Sequence, residues 1–315
     1  MAITSAQIQD QNRSEVPVQT VTNTPWGNLI QKCCNTKQTL NLPQYTTLNE
    51  RHNVLADESI GQQSGANFEL KYFSIGIGGS VADGTTSLGT TRLRVCQHQP
   101  TDMNLFAPIP FLVRPLDADL TTLEREQFRM RTVETLLDDQ QYAVYWVMLV
   151  NFEQYFPVVN KITRDANGNE DAKPYVPVKD SLFNPQPLPF TSVGTVPVSD
   201  TYTNNSGILD CSLNGRMLNE IANACKLMFG DASYASVNEV MLLQGIDTQH
   251  DGLISGGATI RYTEVQSAVA AHFVTERDGR NALNNVKIQM AYDHGASEPM
   301  LLHTNSSTTT TQQGS

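Results

Sequence analysis

Along much of this chain apolar and polar positions alternate, and a spacing of two predicts strands. Residues 68–79, FELKYFSIGIGG, have apolar or aromatic residues at Phe68, Leu70, Tyr72 or Phe73, Ile75 and Ile77, a period of two that predicts a strand closed by Gly78-Gly79 and a turn at Asp83-Gly84. Residues 92–98, RLRVCQH, predict a second strand with Leu93 and Val95 inward and Arg92 and Arg94 outward. Pro100, Pro108, Pro110 and Pro115 then punctuate a rigid connector, with Phe106, Ile109, Phe111 and Val113 expected to pack down. Thr121 and Glu124 have capping-box spacing, so a short helix follows, with Leu120, Leu123 and Phe128 as its stripe.

Residues 141–152, QYAVYWVMLVNF, are the most strand-like run, expected to pair with 156–163 across a turn at Glu153-Gln154. Ala166-Asn167-Gly168 signals a hairpin, with 175–182 returning as an edge strand marked by Pro174 and Pro177. Residues 184–207 read as a long extended loop. Leu213, Met217, Ile221, Ala224 and Met228 are spaced by three and four before Gly230, which predicts a helix over 212–229. A strand over 237–244 and a turn at Gly256-Gly257 come next. A second helix is expected from Thr263, with Gln266 in capping-box spacing and a stripe of Val265, Val269 and Phe273; a strand over 285–292 closes the pattern. The sum is an α+β chain with a mainly antiparallel β-sheet core, two or three helices and extended polar arms. Residues 1–25 read as an N-terminal extended arm, 26–304 as a single α+β body and 305–315, NSSTTTTQQGS, as a disordered polar tail.

At 315 residues the chain can bury about 75% of the surface its unfolded form exposes, so neither a disulfide nor a metal is needed for folding. Only 17% of residues are charged, against about 25% in an ordinary domain, and the polar remainder is neutral. A surface of that kind repels copies of itself weakly, which suits a subunit that touches other subunits. Lys and Arg number 21 against 32 Asp and Glu, a net charge of −11, so sequence-independent binding to nucleic acid is not expected. An acidic wall suits instead a channel through which DNA slides. The longest apolar run, 142–150, is too short to span a bilayer, and the N-terminus has neither a basic nor an apolar leader region. The expectation is a chain kept in the cytosol or leaving it without secretion.

Motifs that carry chemistry are sparse. In IGIGGSVADG, Val81 stands where a dinucleotide fingerprint needs its third glycine, and there is no phosphate-binding loop. Asp247, Gln249, Asp251 and Gly252 imitate the start of a calcium loop, but Ala258 replaces the bidentate glutamate; Asp165, Asn167 and Asn169 carry Glu170 and Val176 at the wrong places. Both read better as Asx-rich turns. His52, His98, His250, His272, His294 and His303 are scattered; His98 suits a structural hydrogen bond and His272 a partly packed core position. Asp117 with Asp119 precedes a helix, and Asp138-Asp139 lies in a turn. Cys33, Cys34, Cys96, Cys211 and Cys225 lack CxxC spacing and read as free thiols, although Cys33-Cys34 could bridge to a neighbouring chain. No residue is assigned as catalytic, cofactor-binding or metal-ligating, and no cofactor is expected.

Residues 95–131, VCQHQPTDMNLFAPIPFLVRPLDADLTTLEREQFRMR, followed by QYAVYWVML, resemble a pattern in structural proteins of tailed-bacteriophage virions. Residues 295–302, GASEPMLL, are similar to an ending of the same group, and together the resemblance covers about a third of the chain. It implies a non-enzymatic virion component, a multi-copy ring or adaptor subunit at the neck, tail or baseplate, assembled in the host cytoplasm. Its partners would be other copies of itself and other virion proteins, through residues 1–25 and 184–207, with no specific nucleic-acid or membrane binding. A carbohydrate- or receptor-binding β module, with Trp26, Tyr202 and Tyr234 stacking on sugars, is the alternative. An enzyme with a site assembled from distant residues is a third reading, one without a motif.

Overall fold

The computed structural model describes residues 18–301 apart from 86–88, 154, 166, 186–197 and 254–258. Strand β1 (Gln19–Asn23) leads into helix α1 (Pro25–Thr36), where Thr24 accepts the Gly27 N–H and Pro25 occupies the first turn. Lys37 ends the helix in the left-handed region, with φ 54°. Strands β2 (Thr39–Leu42) and β3 (Gly61–Ser64) flank α2 (Leu48–His52), which has a complete Thr47–Glu50 capping box. Next come β4 (Glu69–Gly76), the hairpin β5 (Ser80–Thr85) and β6 (Thr91–Val95), and the short β7 (Pro108–Ile109) and β8 (Leu112–Pro115). The Thr121–Glu124 box opens α3 (Thr122–Arg125), followed by β9 (Phe128–Thr135) and β10 (Gln141–Leu149). Strands β11 (Val158–Arg164) and β12 (Glu170–Pro174), α4 (Lys179–Phe183), β13 (Val198–Asp210) and β14 (Leu213–Asn214) lead to α5 (Gly215–Phe229). Asn214 caps α5, and Gly230 closes it at φ 80°. Two long strands, β15 (Ser236–Leu253) and β16 (Thr259–Asn281), then β17 (Lys287–Ile288) and β18 (Ala291–Leu301) complete the order.

The main sheet runs β1-β16-β15-β4-β10-β8, with β7 paired to β4 and β9 to β10. Its ladders are antiparallel, so the α+β class with an antiparallel core holds. Helices cover both faces. Phe73, Ile75, Val240, Leu242 and Val274 pack with Leu218, Ile221 and Cys225 of α5, while the alternate residues Tyr72, Met241, Leu243 and Phe273 pack with Leu48 of α2 and Trp146. Ile30 and Cys33 of α1 lie on Val269 and Phe68. Fully buried side chains such as Phe73, Phe111 and Tyr145 each contribute about 1.5–3 kcal/mol by leaving water.

Several expectations are corrected. Residues 263–273 are not helical but the middle of β16, buried on both faces along most of their length and paired with β15, with β1 joining on the other side from His272. β10 pairs with β4, β8 and β9, not with 156–163, because β11 belongs to a second sheet of order β12-β11-β13-β18. The Asn-Gly hairpin exists, but β12 returns at Glu170–Pro174, and Lys179–Phe183 is a helical turn. Residues 198–207 of the expected loop form most of β13. Within the expected arm, 19–23 form the main sheet's edge strand. Phe106 and Leu93 are exposed where burial was expected, whereas Ile109, Phe111 and Val113 are buried. The closing strand is split into β17 and β18. Residues 1–17, the Gly256-Gly257 turn and the tail 305–315 lie outside the described residues.

Candidate functional site

Strand β15 carries one carboxylate into the interior. Glu239 is fully buried; its oxygens accept the N–H groups of Phe106 at 2.7 Å and Gly78 at 3.2 Å, and His98 Nε2 lies 2.7 Å away. The other ring nitrogen of His98 faces Asp102 at 2.8 Å, and its ring stacks between Phe106 and Phe273 with centroids 3.9 Å from each. The neighbouring Asn238 amide oxygen accepts the Gly79 N–H. A Cβ at Gly79 would stand 2.0 Å from Asn238 O, so that approach requires glycine. This cluster looks like acid–base machinery by composition, but the His98 side chain has no exposure and every partner is satisfied from within. It ties the 96–107 connector to the sheet. Thus His98 takes the structural hydrogen bond expected of it, while Glu239 and Asp102 went unnoticed in the sequence.

The remaining singled-out residues are likewise engaged in structure. Asp247 lies within β15, so the Asx-rich turn expected at 247–252 is strand instead: Asp247 accepts Arg129 Nε and the Tyr72 hydroxyl, each at 2.8 Å, with Lys71 at 3.0 Å. Burial raises its carboxyl, but these partners outweigh burial and hold it below its ordinary value. Asp165 forms the Asx turn, accepting the N–H groups of Asn167 and Asn169. Asp119 accepts Tyr145 and Arg131, and Asp138 accepts Tyr142. His272 is buried 2.7 Å from Asn23 Oδ1 and 5.8 Å, ring to ring, from His294; burial and then that neighbour lower its pKa to about 3. Cys33 is buried, and the Cys34 thiol donates inward to Gly65 O at 2.8 Å, with burial pushing its pKa up. A bridge to another chain would have to break that packing. Burial also pushes Cys225 up to about 12.

The open feature of the molecule is the second sheet. Its inner end is anchored, since Leu209 and Tyr292 join the cluster beneath α5. Farther out β12 is exposed throughout, and Ile162 is the one buried residue of β11. Register places Val158, Asn160 and Ile162 on the same face as Tyr202, Ser206 and Ile208, and as Asp293. That face keeps Phe156, Val158 and Ile208 in water, and beyond β12 Val176 is 76% and Phe183 78% exposed. Phe156, Asn160, Ser206, Ile208, Ala291 and Asp293 border a depression of about 400 Å³. A second, of about 310 Å³, shares Ala291 and continues past Gln289, Arg280 and Glu276 to Gln19. Such a surface offers apolar area and strand backbone to a neighbour. Exposed apolar patches of this kind mark interaction sites.

Among the suggested sugar-stacking aromatics, Trp26 packs half-buried against the α1 cluster. Tyr234 is exposed, tilted 59° to Phe229, and Tyr202 is half-buried on the outer sheet. They form no common platform.

No curated protein and no solved structure matches the chain significantly. Residues 10–309 match the model of a family of unknown function, DUF7208, and the chain belongs to that family.

Proposed function

We propose that this chain is a non-enzymatic structural protein of a tailed-bacteriophage virion, a multi-copy ring or adaptor subunit of the neck, tail or baseplate. The carrying observation is the apolar surface at and beside the outer sheet, where Phe156, Val158 and Ile208 and, past β12, Val176 and Phe183 are exposed among the described residues. Leaving Val176 and Phe183 in water forgoes about 1.5–3 kcal/mol for each large side chain, which association with another chain would recover. The resemblance of residues 95–131 supplies the virion context, and the net charge of −11 supports protein partners over nucleic acid. The carbohydrate-binding alternative has less support, because its aromatics are dispersed; glycan-array binding would favour it.

Quantitative mass spectrometry of purified particles tests the proposal. The chain is expected at a fixed multiple relative to a known single-copy component. Particles that lack it would overturn the virion reading.

A further inference from the structure

We infer that the side of α4 carrying Lys179 and Phe183 docks into the outer-sheet depression of a second copy of this chain, with Lys179 against that copy's Asp293. The two halves of the contact belong to opposite edges of one sheet. The strand order β12-β11-β13-β18 puts α4, which follows β12, past one edge, and Asp293 on the strand at the other, about 14 Å away in strand spacings. Each copy therefore gives α4 to one neighbour and receives α4 from another, a head-to-tail contact of the kind that generates rings. This inference rests on the reading of the chain as a multi-copy subunit and not on its place in a virion.

The two surfaces match in chemistry. Lys179 and Phe183 are the first and last residues of α4, four positions apart, so they stand on the same side of the helical turn. Both are exposed, and Lys179 has no ion-pair or hydrogen-bond partner among the described residues. The depression offers the complement. Asp293 supplies a carboxylate, Asn160 and Ser206 an amide and a hydroxyl, and Phe156 and Ile208 apolar walls for the lysine stem and the Phe183 ring. Among the described residues none of these three polar side chains has an ion-pair or hydrogen-bond partner either. A volume of about 400 Å³ is near the low end of pockets that hold a small ligand, so it takes a few side chains rather than a second sheet. Neither Lys179 nor Phe183 borders the depression of its own chain. Val178 and Leu182, exposed beside them, add apolar area. The charge pair selects which surfaces meet, while apolar burial supplies the affinity. Covered in this way, the pair is screened little by salt.

Sedimentation of the full-length chain over a range of concentrations tests the contact. Lys179→Glu and Asp293→Lys, both at exposed positions, should each raise the concentration of half-assembly about tenfold, with the melting temperature unchanged. Both substitutions in one chain restore opposite charges across the contact and should return that concentration to within about twofold of the parent's. Lys161→Glu makes the same charge change on the other face of the sheet from Asn160, and should leave assembly as it was. A single reversal that leaves assembly unchanged, or a double variant as weak as the single ones, would overturn the contact while the multi-copy reading stands. A parent that stays monomeric at every concentration would overturn both.

Discussion

Glu239 is the residue on which the connector depends. With Ala in its place, His98 Nε2, whose side chain is fully buried, and the part-buried Phe106 and Gly78 N–H groups lose their acceptor. Glu239→Ala should therefore cost about 3–5 kcal/mol in urea unfolding, and a loss below about 1 kcal/mol would contradict the assigned bonds. His272 makes a pH-dependent contribution of definite sign. Its folded pKa of about 3 lies below the ordinary 6.5, so the unfolded chain takes up the proton first. Stability falls as pH drops below 6.5, by about 1.4 kcal/mol per unit, until the folded pKa is reached. Between pH 7 and pH 5, His272→Gln should lose about 2 kcal/mol less than the parent chain; equal losses would sink the assignment. Little of this was legible beforehand. His98 and Glu239 are 141 positions apart, and the one available signal was a lone carboxylate inside the apolar run VNEVMLLQ.

At the scale of elements, local chemistry that acts over three or four residues was readable. The Thr121–Glu124 box, the Asp165 turn and the stripe and terminal glycine of α5 all form where the spacing puts them. Strand β16 defeated the same reasoning for physical reasons. Buried on both faces, it lacks a polar side to reveal a period of two, and irregularities opposite Leu243 and Ile246 shift its register. Val265, Val269 and Phe273 then mimic a helical stripe. Helix α1 was missed because its contacts decide it: Gly27 lets the helix lie so close to β16 that a Cβ would stand 2.6 Å from Ala271 Cα. Helix propensity alone gives Gly27→Ala a gain of about 1 kcal/mol, whereas overpacking costs about 1–3 kcal/mol. The clash is against backbone, so a lower melting temperature is expected; a higher one would mean that α1 can move off the sheet.

The whole molecule follows the balance of its composition. The class was readable from many short alternating runs with few helical ones, but the division into two sheets was not, since pairing of β11 with β13 instead of β10 is a long-range choice. The main sheet has helices on both faces and buries its apolar residues, while at and beside the outer sheet Phe156, Val158, Ile208, Val176 and Phe183 are exposed among the described residues. With only 17% charged residues to keep copies apart, that surface should drive self-association, weakened little by added salt. Light-scattering mass of the purified full chain, beside the Val176→Glu, Phe183→Glu double variant, tests this most directly. The account predicts a defined multimer for the parent and a folded monomer of unchanged melting temperature for the variant. A parent that stays monomeric at every concentration, or a variant that assembles equally well, would contradict it.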